Sequence, residues 1–347
     1  MAEIALRAQP ETGRAATRVP TGVVVLVLAV LTVLLCLTSL AVGSRNLTLE
    51  ELASVFVPGE RTMASIIVWQ LRMPRTVLAV MVGAALAVAG VVMQGLTRNP
   101  LAEPGILGVN AGASLSVVLS MSLLGLTDVV DFLWFAFAGA ALAAFLVHLM
   151  SVRSADAGPA RLVLAGVALG ASLRSITGTV TMYDSVTFDS YRFWVLGSLA
   201  DRDAALLVWV APFLVVGLVM ALASGLTLNA LALGEEQAKA LGVSPGRARA
   251  LALTSITLLC GASTAAVGPI SFVGLVVPQV LRLALGADQR RLLAVSLVAG
   301  PVLLLAADVV GRVILDSGEM EAGVVTAFIG GPVLLVMVIQ RMGVRGR

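Results

Sequence analysis

Residues 76–96 read TVLAVMVGAALAVAGVVMQGL, a continuous apolar stretch without a charged side chain. The hydrocarbon core of a bilayer is about 30 Å thick, so about 20 apolar residues in an α-helix are enough to cross it. Small residues recur at Gly83, Ala84, Ala87 and Gly90, where they let neighbouring helix backbones approach closely. The stretch therefore predicts a membrane-spanning helix that packs tightly against other helices.

Apolar stretches of similar length recur along the whole chain. Of its 347 residues, 59% are hydrophobic and 12% are charged, and the mean hydropathy is +1.02, which excludes a soluble globular protein. The windows bounded by charged or turn residues are 22–43, 76–96, 106–124, 132–152, 162–182, 204–223, 248–267, 270–285, 292–310 and 324–339. We predict an all-α integral membrane protein with about ten transmembrane helices, because an α-helix satisfies its own backbone groups in lipid.

These spans divide the chain into one domain and two tails. Residues 1–21 are predicted to form an N-terminal tail, 22–340 a single transmembrane domain with a cytoplasmic loop near 228–247, and 341–347 a C-terminal tail. The eighth and tenth spans are short for a bilayer crossing. No segment is long enough to form a separate soluble catalytic domain.

Positive charges predict the orientation of the chain. With the N-terminus placed in the cytoplasm, the larger share of Lys and Arg falls on the cytoplasmic side, as the positive-inside rule requires. Both termini are therefore predicted in the cytoplasm. The first apolar stretch is longer than the core of a signal peptide and indicates an uncleaved span, with cleavage at the small residues 41–43 as the alternative.

Residues that carry catalytic or metal-binding chemistry are scarce. Cys36 and Cys260 lie in separate apolar stretches and His148 is the single histidine, so neither a disulfide framework nor a metal or redox site is indicated. The sequence also lacks the phosphate loop GxxxxGK[ST]. We therefore predict that the chain has no catalytic residue, metal ligand or directly bound cofactor, and that it is not an enzyme.

Two segments interrupt the apolar pattern. The first is TRNPLAEPGILG (residues 97–108), where two prolines and two glycines predict a broken turn rather than a continuous helix. Its Glu103 is interpreted as an interfacial anchor near Arg98, with a proton or ion site as the alternative. The second is LALGEEQAKALGVSPGRARA (residues 231–250), which predicts a short amphipathic helix between Gly234 and Gly242. Such a helix suits a partner's groove, and a solvated connector is the alternative.

The chain resembles the FecCD family of permeases for iron-siderophores, haem and cobalamin. The resemblance runs from about residue 68 to 341 and is carried by WQLRMPRTVLAVMVGAALAVAGVVMQGLTRNPLAEPGILGVNAGA (69–113), LALGEEQAKALGV (231–243), GPISFVGLVVPQVLRLALGADQRR (268–291) and GVVTAFIGGPVLL (323–335). It implies a type II ABC importer permease with a bundle like that of the cobalamin importer. The implied partners are a second permease subunit, identical or paralogous, two ATPase subunits that hold ATP and Mg²⁺, and a substrate-binding protein, with lipid around the chain and no nucleic acid.

The resemblance also implies roles for individual residues. Asn99 and Leu101 match the cytoplasmic gate, and Arg72, Arg75 and Arg312 match arginines that pair with carboxylates of the binding protein. An arginine at a helix end also serves as a membrane anchor, which is the alternative for each of the three. The ATPase-coupling residues are Gly234, Glu235, Glu236, Ala238, Ala240, Leu241 and Gly242.

At some positions this chain departs from the family pattern. Gln279 and Gln289 stand where many relatives have histidine, so the resemblance supports no histidine chemistry there. Pro159 and Ala160 replace hydroxyl residues, and Glu321 replaces a proline before the last span.

The outer segment YRFWVLGSLADRD (residues 191–203) resembles siderophore permeases, so an iron(III)-siderophore is the expected cargo, with haem or cobalamin as the alternatives. A secondary transporter is a further alternative, for which Arg174 and Asp308 are the plausible intramembrane ionisable residues.

Overall fold

The computed structural model describes residues 20–43, 45, 47–55, 62–152, 159–315 and 318–345, and every regular element in these ranges is helical. This confirms the predicted all-α class. The helices are α1 (Thr21–Ala41), α2 (Leu49–Ser54), α3 (Met63–Ile66), α4 (Met73–Thr97), α5 (Val109–Leu124), α6 (Val129–Val152), α7 (Pro159–Tyr183), α8 (Ser185–Val195), α9 (Ala204–Ala223), α10 (Gly225–Ala232), α11 (Glu235–Ala240), α12 (Pro245–Val267), α13 (Val273–Leu285), α14 (Gln289–Val313) and α15 (Ala322–Arg345).

Each of the ten predicted spans corresponds to one helix. Within the described ranges, eight helices are long and apolar enough to cross a membrane, while α5 and α13 are shorter apolar helices. The short eighth span is confirmed, since α13 has 13 residues. The tenth span is longer than predicted because α15 continues to Arg345, and the third span is the other short one, with 16 residues in α5.

The predicted start of the second span is wrong. A π-helical turn, Ile67–Arg72, joins α3 to α4, so that one helix of 35 residues runs from Met63 to Thr97. The hydropathy window stopped at Arg72 and Arg75 because both are charged. The helix continues through these arginines because their guanidinium groups have partners within the fold, as described below.

Local capping sets many of the helix ends. The carboxylates of Asp184, Asp203 and Asp288 accept hydrogen bonds from backbone N–H groups in the first turns of α8, α9 and α14. These bonds satisfy N–H groups that have no partner inside the helix. Helices α5 and α13 end at Gly125 and Gly286, which adopt positive φ angles.

Helix α4 forms the centre of the bundle. In its apolar window 83% of the residues are buried, against 11% in the peripheral α1. It packs most extensively on α14, and also contacts α12, α13 and α9. Glycines make this packing possible, because a β-carbon on Gly83 would lie 2.8 Å from the carbonyl oxygen of Gly300, and one on Gly90 would overlap the backbone of Gly274.

We expect Gly90→Ala to destabilise the protein by about 1–3 kcal/mol, because the added methyl group forces α4 away from α13. Gly22→Ala is the matched control, since no atom lies within 4 Å of the place its β-carbon would take. Thermal unfolding of the purified proteins in detergent measures the difference. Equal melting temperatures for the two variants would contradict the role of Gly90 in helix packing.

Candidate functional site

At one end of the bundle, charged residues of α4 and α14 form an ion-pair cluster around Asp308. The guanidinium group of Arg75 donates to the Asp308 carboxylate from Nε (3.0 Å) and Nη2 (2.7 Å), and its Nη1 donates to Glu319 at 2.7 Å. Arg312, one turn after Asp308 on α14, pairs with the same carboxylate and donates to the carbonyl oxygen of Ser39 at 2.8 Å. The cluster therefore ties α1, α4 and α14 together.

Arg72 belongs to the same region but contacts backbone rather than carboxylates. Its Nη1 donates to the carbonyl oxygens of Leu40 and Ala41 at 2.7 and 2.8 Å, and its Nη2 donates to that of Arg45. Leu40 and Ala41 are the last two residues of α1, whose carbonyl groups have no partners within the helix. Arg72 therefore caps the C-terminus of α1 and places a positive charge at the negative end of the helix dipole.

The three predicted docking arginines lie together, but two of them are buried. Arg72 and Arg312 are each 6% exposed, and the side chain of Arg75 is 13% exposed. Asp308, named above as a plausible intramembrane ionisable residue, is 1% exposed and forms the centre of the cluster. Sequence reasoning did not assign it this role, although its i, i+4 spacing to Arg312 is a signal for an ion pair.

An open cleft of about 720 Å³ lies over this cluster. Its ionisable lining consists of five arginines and three carboxylates, so the formal charge of the lining is positive. Arg202 in this lining was not among the predicted docking residues, and only the fold brings it to the cleft. The ionisable residues that line this arginine cleft are Arg45, Arg72, Arg75, Arg202, Arg312, Asp201, Asp203 and Glu319.

The predicted broken turn follows the opposite end of α4. Arg98 ends α4 in the left-handed conformation, with φ 51°. The Asn99 side chain then accepts a hydrogen bond from the backbone N–H of Leu101 at 3.0 Å, which stabilises the turn locally. Asn99 is exposed and Leu101 is half-buried. Both proposed gate residues therefore lie on one tight turn between α4 and α5.

Residues near α13 hold the broken turn in place. The Glu103 carboxylate accepts a hydrogen bond from the backbone N–H of Phe272 at 2.6 Å, and Phe272 is the residue immediately before α13. Gln279 on α13 donates from its side-chain amide to the carbonyl oxygen of Pro100 at 2.6 Å. Glu103, interpreted from the sequence as an interfacial anchor near Arg98, accepts this bond at the N-terminus of a neighbouring helix, a role that the sequence did not indicate.

The predicted amphipathic helix in the loop after α9 is present as α11, and we call it the loop helix. It lies between Gly234 and Gly242, which have φ angles of 119° and 80°. Ala238 is fully buried, in a small apolar cluster with Leu231 and Ala248. Glu235 forms an ion pair with Arg249 on α12.

The exposed surface of the loop helix carries three of the predicted coupling residues. Glu236 and Ala240 are exposed, and Leu241 is 64% exposed. Since Ala238 and the Glu235–Arg249 ion pair hold the opposite side on the bundle, the helix presents a fixed surface to a partner.

A second contact fastens this loop to the start of α14. The Asn229 amide on α10 donates to the Asp288 carboxylate at 2.9 Å, and its carbonyl oxygen accepts from the backbone N–H of Gln289 at 2.9 Å. The hydrogen bond from Asn229 is the main reason that the pKa of the Asp288 carboxyl lies below its usual range. Helix α14 therefore begins at the loop and ends in the ion-pair cluster around Asp308.

A bundle of membrane helices with an exposed loop helix at one end and a cationic cleft at the other defines a multi-span membrane permease. The FecCD transport family matches residues 31–340, and the chain belongs to this family, as its resemblance predicted.

Two curated relatives and one solved structure give the family more detail. The ferric enterobactin transport system permease protein FepD of Escherichia coli (strain K12) is 43% identical over 305 residues, which cover 87% of this chain and 91% of FepD. The vitamin B12 import system permease protein BtuC of Vibrio cholerae is 42% identical over 278 residues, covering 79% and 83% of the two chains. The solved structure is an inward-facing conformation of an ABC transporter described as of metal-chelate type. It superposes on this chain with a TM-score of 0.81 at 28% sequence identity, and the match covers 92% of this chain and 99% of the solved chain.

We expect Asp308→Ala to destabilise the protein by about 3–5 kcal/mol, because it leaves two largely buried guanidinium groups without their carboxylate. Asp189→Ala is the control, since Asp189 pairs with Arg192 and both side chains are more than half exposed. Such an exposed pair contributes about 0–1 kcal/mol. Thermal unfolding in detergent compares the two variants, and a loss no larger for Asp308→Ala than for Asp189→Ala would contradict the central role of Asp308.

Proposed function

We propose that this chain is the membrane-spanning subunit of an ATP-driven importer that moves an iron(III)-siderophore across the bacterial inner membrane. The observation that carries the proposal is the 43% identity with the ferric enterobactin permease FepD, which extends over 87% of the chain. The cargo arrives with a substrate-binding protein, and two ATPase subunits supply the energy. A second permease subunit, identical or paralogous, completes the pathway.

The loop helix is the proposed contact with an ATPase subunit. ATP and Mg²⁺ belong to that partner, and Glu236, Ala240 and Leu241 form the surface that it contacts. Movement of the loop helix reaches α12 through the Glu235–Arg249 ion pair. It reaches α14 from α10 through the hydrogen bonds of Asn229.

The broken turn is the proposed cytoplasmic gate. Asn99 and Leu101 lie at the same end of the bundle as the loop helix, because α4 runs from the ion-pair cluster to the turn. Gln279 and Glu103 connect the turn to α13. A shift of α13 relative to α4 therefore changes the position of the gate residues.

The arginine cleft is the proposed seat of an acidic binding protein. Arg75 has a partly exposed guanidinium group, and Arg45 and Arg202 extend the positive surface beyond it. Guanidinium groups suit paired hydrogen bonds with carboxylates. Arg72 and Arg312 support this surface from below, through their contacts with α1 and Asp308. The cleft then faces outward and both chain termini lie in the cytoplasm.

Uptake into proteoliposomes tests the proposed function and its cargo. The chain is reconstituted with its ATPase subunits, permease partner and binding protein, and is offered a ferric siderophore, haem and cobalamin separately. We expect ATP-dependent accumulation of the ferric siderophore, and none when the ATPase subunits are left out. Preferred uptake of cobalamin or haem would overturn the siderophore assignment, and uptake without any ATPase would indicate a secondary transporter.

We expect Ala240→Trp to separate ATP hydrolysis from transport, because the large ring occupies the exposed surface of the loop helix. Siderophore uptake should fall about tenfold or more, and a factor of ten corresponds to about 1.4 kcal/mol in free energy. ATP hydrolysis and siderophore uptake are measured on the same reconstituted complex. Leu26→Trp on the exposed side of α1 is the control and should keep both rates. Normal uptake by Ala240→Trp would argue against the coupling role.

A further inference from the structure

Helix α7 is widely exposed but has the wrong composition for lipid. In α1 only 11% of the apolar window is buried and the mean hydropathy is 3.0, as a lipid-facing helix requires. In α7 only 22% is buried, yet the mean hydropathy is 1.4, the lowest among the eight long membrane helices of the described ranges. One side of α7 packs on α5 and α6. Since so few residues of the window are buried, most of those that lower its hydropathy lie on the open side of α7.

The charge on this open side belongs to Arg174. Its side chain is exposed and is directed back along the helix, so that Nη1 lies 3.4 Å from the place a β-carbon on Gly170 would occupy. Gly170 is close to the midpoint of α7, which runs from Pro159 to Tyr183. The positive charge is therefore held near the middle of the membrane-spanning helix.

Arg174 is not a membrane anchor. An anchoring arginine extends its charge toward the nearer end of its helix, where water and head groups are available. Tyr183 is the nearer end for Arg174, and the guanidinium group points away from it. Within the part of the chain that the structure describes, Arg174 has neither an ion-pair partner nor a hydrogen bond. A charge placed in this way costs free energy in lipid and requires water or an anion beside it.

The exposed residues beside Arg174 leave space for such surroundings. Ala171, Ser175, Gly178 and Thr179 are all small and exposed, and their spacing places them on one face of the helix. At Gly178 no atom lies within 4 Å of the place a β-carbon would take. Nearer the start of α7 the same face also exposes Val167 and Leu164, so the surface is mixed and is weakly polar only around Arg174.

We propose that Arg174 is an anion-contact site halfway along the import path, and that it favours metal chelates with a net negative charge over neutral ones. The inference rests on the proposed import function and adds the charge class of the cargo. The guanidinium group combines a positive charge with several N–H donors, which suits the oxygen atoms of an anionic chelate. A single exposed cation attracts the chelate without holding it, as release on the far side requires.

The first test measures the potential beside Arg174 without transport. In a chain with Cys36→Ala and Cys260→Ala, a reporter Ser175→Cys is treated in the assembled complex with an anionic sulfonate and a cationic trimethylammonium methanethiosulfonate. We expect Arg174→Gln to lower the anionic-to-cationic rate ratio about tenfold, and Arg174→Lys to preserve it. A control reporter at the exposed Met182→Cys lies about 18 Å along the same helix from Gly170, the level of the guanidinium group, and should keep its ratio because salt screens charges over that distance.

Two outcomes of this test would overturn the proposal. One is a rate ratio at Ser175→Cys that Arg174→Gln leaves unchanged. The other is a reporter that reacts with an apolar maleimide but with neither charged reagent in any nucleotide state, which would mean that this face contacts lipid or a tightly packed second permease subunit.

The second test compares cargo charge. The reconstituted complex imports an anionic and a neutral ferric chelate, each delivered by the same binding protein, with wild-type chain, Arg174→Gln and Arg174→Lys. We expect Arg174→Gln to lower uptake of the anionic chelate about tenfold relative to the neutral one, and Arg174→Lys to restore most of it. An equal fall for both chelates would make Arg174 a structural residue and overturn the proposal. If the wild-type complex imports neither chelate while the thiol test succeeds, the proposed import function fails and the anion site stands.

Discussion

The interior of a bilayer supplies no water, so backbone groups and charges that are buried in this fold need partners within the protein. Within a long helix the backbone groups bond to one another. At helix ends they do not, and there side chains from other helices supply the partners. Arg72 closes the carbonyl end of α1, and Glu103 closes the amide end of α13. Asp308 neutralises buried charge, because its carboxylate forms ion pairs with both Arg75 and Arg312.

These contacts connect the two ends of the bundle through α4 and α14. The helices pack along their lengths through the glycine pair Gly83 and Gly300, which brings their backbones close and leaves little room for independent movement. At one end both helices join the ion-pair cluster around Asp308, and at the other α14 is fastened to α10 through Asn229. The closely packed pair of α4 and α14 therefore connects the loop region to the ion-pair cluster.

Helix α7 differs from the central helices in how little of it is buried. The central helices bury apolar and small residues for stability, while α7 leaves Arg174 and a row of small residues open. Such a face contributes little to the packing of the bundle. The most deeply buried long helices are instead α4, α12 and α14.

The sequence by itself determined the ten membrane helices, the loop helix between Gly234 and Gly242 and the family, because apolar length, helix-ending glycines and long motifs are local properties of the chain. It also identified Arg72, Arg75 and Arg312, but it did not indicate that two of them are buried. Only the tertiary structure decided that Arg75 shares Asp308 with Arg312, that Glu103 bonds to Phe272 and that Arg202 reaches the cleft. Asp308 and Arg75 are more than 200 residues apart in sequence, so their pairing depends on how α4 packs against α14, which no local pattern encodes.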